Sequence, residues 1–279
     1  MKSKFLSSAA LASLATAALL SGCGKASDSG KIRMITEATF PPYEFRQGSE
    51  VVGIDVEICK AIAAELGKEL AVEDVEFDSV LPSLIANKAE LAAAGITVNE
   101  DRKKMVDFSD PYVETGIVVI SAKSAPVKGA ADAKGKRIGV QNGTTPADYC
   151  VEQLGQEPDR FDSPASAFAA LKAGKIDLVI ADVDPAENLV KGDADYAITS
   201  EPRFLTSECY AIAIKKGQPE LLATINKVIG EMKASGRLAA IFEEFKAKAD
   251  ALAAGSGACA CGESCPNAAC DKSACPCAK

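Results

Sequence analysis

Apolar residues recur along the chain with two spacings, one typical of helices and one typical of strands. At 55–66 isoleucine and leucine recur at every fourth position and Gly67 follows directly, which predicts a helix that ends at the glycine. A second helix is predicted at 79–87. A run rich in β-branched residues at 32–36 and an apolar run at 91–96 predict strands. Because the two patterns alternate, we expect an α/β fold.

The alternation continues in the second half of the chain. A strand at 137–140 leads into a helix that starts near Pro146. A Ser-Pro pair at 163–164 opens another helix, because serine caps helices and proline is favoured in their first turn. Gly174 closes this helix, and an apolar run at 176–181 predicts the strand that follows.

Two segments 87 residues apart resemble each other. Residues 84–91 and 171–178 share Leu, Ala, Lys, an acid and Leu in step, and each reads as a helix, a tight turn and a strand. At the same offset Gly95 matches Asp182, each at the carboxyl end of its strand, where open α/β sheets bind ligands. The repeat predicts two similar lobes whose strand ends face one cleft. Chance similarity between segments rich in Ala, Leu and Lys is the alternative.

Composition excludes several classes of function. The 279 residues are 48% hydrophobic, which suits one large domain or two small ones. A formal charge of -8 and an isoelectric point near 4.9 argue against a nucleic-acid partner. The chain has no histidine, so Ser-His-Asp and Cys-His catalysis are excluded and the commonest nitrogen ligand for zinc is absent.

The N-terminus has the features of an export signal. Two lysines precede an uncharged run at 5–20, which is short and weakly apolar for a membrane-spanning helix of roughly 20 residues. The run ends in Leu-Ser-Gly-Cys, which resembles a bacterial lipobox. We expect a signal peptide at 1–22, a lipid on Cys23 and a flexible tether at 23–30. A plain signal peptide with an incidental cysteine is the alternative.

A glycine, a threonine and an arginine carry the first candidate binding chemistry. A strand ends at Gly95, which leaves backbone groups exposed, and Thr97 and Arg102 follow. A guanidinium can bind a carboxylate through two hydrogen bonds, and the threonine hydroxyl can add another donor. The local alternative is that Arg102 pairs with Glu100 or Asp107 on a solvated helix face.

Two further segments could bind charged groups. Thr145 is predicted at a helix N-cap with Pro146 at the first helical position, and free N–H groups there favour a carboxylate or phosphate. An ordinary capped helix has the same pattern. Asp182, which ends the apolar run at 176–181, could accept from an ammonium group or cap the helix that contains Pro185.

Together these segments resemble the polar amino-acid-binding family of bacterial extracellular solute-binding proteins over residues 32–245. The motifs that carry the resemblance are ATFPPYEF at 38–45, GIDV at 53–56, GIT at 95–97, RKK at 102–104, DFSDPY at 107–112, GK at 135–136 and GTT at 143–145. The resemblance implies an α/β, two-lobed periplasmic-binding-protein clamshell with two hinge crossings. The implied ranges are 31–111 and 211–249 for lobe 1, 117–205 for lobe 2, and 112–116 and 206–210 for the hinges.

The resemblance also implies how a free amino acid would bind. Arg102 and Thr97, helped by Thr145 of the second lobe, would hold the α-carboxylate. Asp182 and the carbonyl of Gly95 would hold the α-ammonium group. This agrees with the chemistry of the residues, since a buried zwitterion needs a fixed cation and a fixed anion on opposite sides.

The ligand side chain has its own implied subsite. Phe40 and Phe77 would sandwich it, and Glu37 would lie at its far end. Gln141 and Ala181 would fill other positions without adding charge. A carboxylate suits a cationic side chain such as that of arginine or lysine, and it also suits the amide of glutamine. We expect a basic amino acid, with glutamine or another neutral polar one as the alternative.

The function implied is that of an extracytoplasmic receptor, not an enzyme. It would deliver a free amino acid to the permease of an ABC transporter, act as a monomer and be held to the membrane by the lipid on Cys23. An enzyme similar to cyclohexadienyl dehydratases, with Glu37 or Asp182 as its carboxyl acid, is one alternative. A metal-binding or sensing protein that acts through its C-terminal tail is another.

Cysteine is concentrated in the predicted tail at 250–279. The six tail cysteines are Cys259, Cys261, Cys265, Cys270, Cys275 and Cys277. Their spacing resembles metallothionein-like thiolate clusters that bind soft metals, while disulfides are the alternative in an oxidising compartment. From Ala253 onward Ala, Gly, Ser and Cys dominate, so we expect a disordered tail without a packed core. No other cofactor is expected.

Overall fold

The fold is described for residues 30–255 by a computed structural model. The predicted signal peptide at 1–22, the lipid site Cys23, the tether before Gly30 and the six tail cysteines lie outside the described residues.

Strands and helices alternate as the hydrophobic pattern predicts. The strands are β1 (Lys31–Thr36), β2 (Thr39–Phe40), β3 (Glu44–Gln47), β4 (Glu50–Val52), β5 (Glu69–Asp74), β6 (Leu91–Ala92), β7 (Val106–Phe108), β8 (Val113–Thr115), β9 (Ile117–Ala122), β10 (Ile138–Gln141), β11 (Asp159–Phe161), β12 (Leu178–Asp182), β13 (Tyr196–Ile198), β14 (Glu208–Tyr210) and β15 (Ala213–Lys215). The helices are α1 (Ile54–Glu65), α2 (Phe77–Ile85), α3 (Glu100–Met105), α4 (Ala130–Ala133), α5 (Thr145–Glu152), α6 (Pro164–Lys172), α7 (Val183–Val190), α8 (Pro219–Ala234) and α9 (Arg237–Gly255).

Helix ends follow local chemistry. At the start of α6 the Ser163 hydroxyl accepts a hydrogen bond from the Ser166 amide at 3.2 Å, and Pro164 opens the helix. Beyond the C-terminus of α1, Gly67 takes a φ of 64°, a left-handed conformation that glycine adopts without steric cost. The predicted cap and stop signals are therefore confirmed at these two helices.

Two five-stranded sheets have equivalent arrangements. The first is ordered β5-β1-β6-β15-β7 and the second β11-β10-β12-β9-β13, so that strands at the same place in the two orders correspond. In each, the first three strands run parallel and the fourth is antiparallel to the third. Helices pack on the sheets to form the cores of two lobes. The parallel strand ends of both lobes face the space between them.

The repeated segments adopt the same turn in the two lobes. Asn87 and Gly174, which align in sequence, have φ angles of 60° and 69°. One residue pair is repeated as well: the guanidinium of Arg33 pairs with Glu90, and that of Arg137 pairs with Asp177 at 2.6 Å. The repeat predicted from sequence is therefore structural.

Two short strands carry the chain between the lobes. β8 and β14 pair antiparallel as a separate two-stranded sheet, with Cys209 opposite Glu114. They fall in the ranges 112–116 and 206–210. Their pairing ties the two crossings to each other, so the lobes are joined by a sheet and not by independent linkers. Cys209 forms no disulfide with Cys59 or Cys150, the other cysteines within residues 30–255.

Two predicted boundaries are wrong. The strand predicted at 91–96 is only two residues long, and the backbone takes a left-handed conformation at Gly95, where φ is 53°. The predicted tail at 250–279 begins inside α9, which extends to Gly255. The Ala- and Leu-rich sequence there favours helix, and Asp250 pairs with Lys191 of the second lobe at 2.5 Å.

The two equivalent turns give a matched test of backbone strain. Gly174 is exposed and a Cβ atom there would contact nothing within 4 Å, so only its positive φ resists substitution. Gly174→Ala should destabilise the protein by about 1 kcal/mol, whereas Gly174→Asn should cost clearly less, since Asn87 holds the same conformation in the other lobe. Urea denaturation of the three proteins measures this. Equal losses for Ala and Asn would contradict it.

Candidate functional site

The lobes contact each other across the predicted cleft. Arg102 donates from Nη2 to the carbonyl oxygen of Gly143 at 3.1 Å, and Gln141 donates from Nε2 to Glu37 at 3.3 Å. Tyr43 OH donates to Asp184 at 2.5 Å. In each pair one residue belongs to the first lobe and the other to the second. The sequence-predicted residues therefore lie at an interface between closed lobes.

Arg102 is buried at the centre of this interface. It lies on α3, whose N-cap Asn99 accepts from the Arg102 amide at 2.8 Å. Its Nη1 donates to the Thr97 carbonyl at 2.8 Å, and its guanidinium carbon lies 5.6 Å from the Phe77 ring centre. The side chain is bound by neutral dipoles and a ring, which leaves its charge available to a bound anion.

The alternative of a solvated ion pair is therefore wrong for Arg102. The residue is only 7% exposed, and the neighbouring Lys103 is the partner of Glu100 at 2.8 Å. Asp107 lies near Lys216 instead, at 3.8 Å. Burial lowers the pKa of Arg102 from its ordinary value, and the nearby carboxylates oppose this change.

Asp182 supplies a buried carboxyl group. It ends β12 and occupies the N-cap position of α7, but its side chain makes no capping hydrogen bond. Instead it accepts from the hydroxyl of Tyr210 at 2.6 Å. Burial raises the pKa of Asp182 to about 7, and repulsion from Glu208 contributes to the same shift. The alternative that this side chain caps the α7 helix is wrong.

Glu37 and Gln141 form a separate polar pair. Glu37 follows β1, is 4% exposed and accepts from the Thr39 hydroxyl as well as from Gln141. Burial raises the pKa of Glu37, while the hydrogen bonds from Thr39 and Gln141 oppose the shift. Gln141 also donates to the Asp162 carbonyl at 3.1 Å, so its amide is anchored in the second lobe.

The two predicted aromatic residues occupy different surroundings. Phe77 begins α2 and lies against the Arg102 guanidinium. Phe40 is buried and packs against Gly95, where an added Cβ atom would come within 2.7 Å of its ring. The Phe40 ring centre is also 6.3 Å from that of Tyr210. Gly95 is thus required by both its positive φ and the ring beside it.

Thr97 and Thr145 come together from opposite lobes. Both hydroxyls donate to one carboxylate oxygen of Glu208, at 2.9 Å and 2.8 Å. The predicted N-cap is shifted by one residue, because α5 begins at Thr145 and its N-cap is Thr144. The Thr144 hydroxyl donates to the Gln141 carbonyl at 2.7 Å, which holds it in the turn before the helix.

Sequence reasoning missed Glu208 and Tyr210. Both lie on the crossing strand β14, with Cys209 between them. Because side chains two residues apart on a strand point to the same face, both are directed toward the cleft. This alternation within the predicted hinge was a usable signal. Around Arg102 the cleft brings together the carboxyl groups of Asp182 and Glu208.

Comparison with known proteins decides the family. The family described as bacterial extracellular solute-binding proteins, family 3, matches residues 32–248. The chain belongs to this family. It is 32% identical over 228 residues to the arginine-binding extracellular protein ArtP of Bacillus subtilis (strain 168), a match that covers 78% of this chain and 89% of ArtP.

Solved structures agree with this assignment. The P235GK mutant of ArgBP from T. maritima matches with a TM-score of 0.74 and 38% identity, over 77% of this chain and 95% of that one. An ancestral arginine-binding protein bound to glutamine matches with a TM-score of 0.71 and 39% identity, over 77% of this chain and 97% of that one. The predicted α/β, two-lobed clamshell is confirmed, and the protein is an extracytoplasmic amino-acid-binding protein.

The buried carboxyl of Asp182 gives a stability prediction. Since its folded pKa of about 7 exceeds the ordinary 3.8, the folded protein binds this proton more tightly than the unfolded chain. The contribution of this bound proton to the free energy of unfolding is favourable at low pH and is lost as pH rises from about 4 to 7. Asp182→Asn, which removes the titration, should therefore gain stability relative to wild type by an amount on the order of 2 kcal/mol between pH 5 and pH 8.

Urea denaturation at both pH values measures this difference. The exposed Asp101, which lies on α3, provides the control Asp101→Asn. A difference between Asp182→Asn and wild type that is the same at pH 5 and pH 8 would contradict the prediction.

Proposed function

We propose that the protein captures a basic amino acid in the cleft between its lobes and delivers it to an ABC importer. The observation that carries this proposal is the placement of buried opposite charges in one cleft. Arg102 is 7% exposed, and Asp182 is also 7% exposed. An α-amino acid presents a carboxylate and an ammonium group on one carbon, so these two residues suit its two charges.

The side-chain subsite supports a cationic ligand. Glu37 adds a third buried charged group, and it carries the sign opposite to that of a lysine or arginine side chain. A cation at this position would offset the burial that raises the pKa of Glu37. A neutral amide would leave an ionised Glu37 without that compensation. The name of the relative ArtP points the same way, whereas glutamine in an ancestral relative keeps the neutral alternative open to experiment.

The proposal extends to the cellular setting. A receptor of this family would be exported through the segment at 1–22, held to the membrane by a lipid on Cys23 and released from its ligand at a permease. It would act as a monomer. The solute-binding relatives support a receptor over the dehydratase-like alternative.

A thermal-shift screen of the mature chain against the twenty amino acids tests the ligand class. A basic amino acid at 100 times its dissociation constant should stabilise the protein by about 2.7 kcal/mol, which raises the melting temperature by a few degrees. Arg102→Ala should remove this response, because the α-carboxylate loses its cation. The exposed Arg237 gives the matched control, and Arg237→Ala should respond as wild type does. No response to any amino acid in folded, ligand-free protein would refute the receptor.

Glu37→Gln separates a basic ligand from a neutral one. The substitution keeps the shape of the side chain and removes its charge. Arginine affinity should fall at least ten-fold, about 1.4 kcal/mol, while glutamine affinity should change little. Titration calorimetry with both amino acids measures this, with Glu76→Gln as the control because Glu76 is exposed yet close enough to Glu37 to influence its pKa. Equal losses of affinity for both amino acids would show that Glu37 does not distinguish a charged ligand side chain from a neutral one.

A further inference from the structure

The carboxylate of Glu208 lies between the lobes, against Thr97 and Thr145. Its Oε2 accepts from Thr97 of the first lobe at 2.9 Å and from Thr145 of the second lobe at 2.8 Å. Its Oε1 accepts from the Thr206 hydroxyl at 2.8 Å. Both oxygens are therefore held by hydroxyl groups, and the residue bridges the two lobes.

The two threonine hydroxyls cannot serve two carboxylates at once. A hydroxyl group has a single hydrogen to donate, and Thr97 and Thr145 each direct theirs to Glu208. These are the hydroxyls that the family resemblance assigns to the α-carboxylate of the ligand. An amino acid can accept hydrogen bonds from these hydroxyls only if their hydrogen bonds to Glu208 break.

Backbone contacts of β14 limit how far the Glu208 carboxylate can move away from Thr97. Thr97 and Tyr210 form an antiparallel bridge, and the Val98 amide donates to the Cys209 carbonyl at 3.0 Å. Glu208 is thus one residue from a strand contact with the segment that carries Thr97. Its charge also acts on Arg102 and Asp182, the two residues proposed to bind the ligand backbone.

We propose that Glu208 is a specificity-determining residue whose carboxylate competes with the α-carboxylate of the ligand for the hydroxyl groups of Thr97 and Thr145. The proposal rests on the proposed function, since it concerns the same cleft. A ligand without a carboxylate leaves both threonine hydroxyls on Glu208, and it meets the carboxyl groups of Asp182 and Glu37. Those two acids match a ligand with two cationic groups and no carboxylate. The cleft therefore admits decarboxylated basic amino acids, such as a guanidino amine, beside the amino acids themselves.

Titration calorimetry with L-arginine and with agmatine, the same molecule without its carboxylate, tests this on the mature chain. Wild type should bind both ligands. Glu208→Gln should tighten arginine binding about ten-fold, which is about 1.4 kcal/mol, and leave agmatine binding unchanged or weaker. Glu208→Ala should shift the ratio of the two dissociation constants in the same direction.

The matched control lies on the neighbouring crossing strand. Glu114 is exposed and sits opposite Cys209 in the same two-stranded sheet, so Glu114→Gln removes an equal charge without touching the cleft. It should leave both affinities unchanged. Any effect of Glu208 on lobe closure would act on arginine and agmatine alike and would cancel in their ratio.

The outcomes separate this inference from the proposed function. If wild type binds no amino acid, the proposed function fails. If wild type binds arginine but the arginine-to-agmatine ratio is the same in both Glu208 variants, or shifts toward agmatine, Glu208 does not compete with the ligand carboxylate and the inference is overturned. Wild type that binds arginine and shows no binding of agmatine also contradicts it.

Discussion

The structure depends on holding charged groups in a buried interface without neutralising them by direct ion pairs. A buried charge costs several kcal/mol unless polar groups replace its water. Here the Arg102 guanidinium is bound by the carbonyls of Thr97 and Gly143, one from each lobe, and Asp182 by the hydroxyl of Tyr210. Because these partners are neutral, the charges remain available to a ligand, and closure of the lobes is what completes the coordination of the arginine.

The repeated lobe architecture explains why these groups meet. Each lobe ends its third strand near the cleft, β6 shortly before Gly95 and β12 at Asp182. The same turn precedes both strands, with positive φ at Asn87 and Gly174. One folding unit used twice thus places a backbone turn on one side and a carboxylate on the other. The residues that differ between the two copies determine which ligand groups each side of the cleft can bind.

Sequence reasoning reached the parts of the site that local patterns encode. Arg102 and Asp182 were candidates because each follows an apolar run, and the family resemblance supplied their binding roles. The short β6 was not predictable, because a continuous apolar run does not reveal where the backbone turns at Gly95. Glu208 was missed because its position depends on antiparallel pairing between β8 and β14, which are far apart in sequence. Roles assigned to Cys23 and the tail cysteines remain predictions.

The pairing of β8 with β14 has a consequence for the order of folding. The second lobe is one continuous stretch of chain, whereas the first is assembled from segments before β8 and after β14. Bringing those segments together costs loop-closure entropy that grows with the intervening length. Once the second lobe has folded, Thr115 and Glu208 are already neighbours, and most of that loop no longer has to be closed. Folding of the second lobe thereby lowers the entropy cost of adding β15 to the sheet that contains β1.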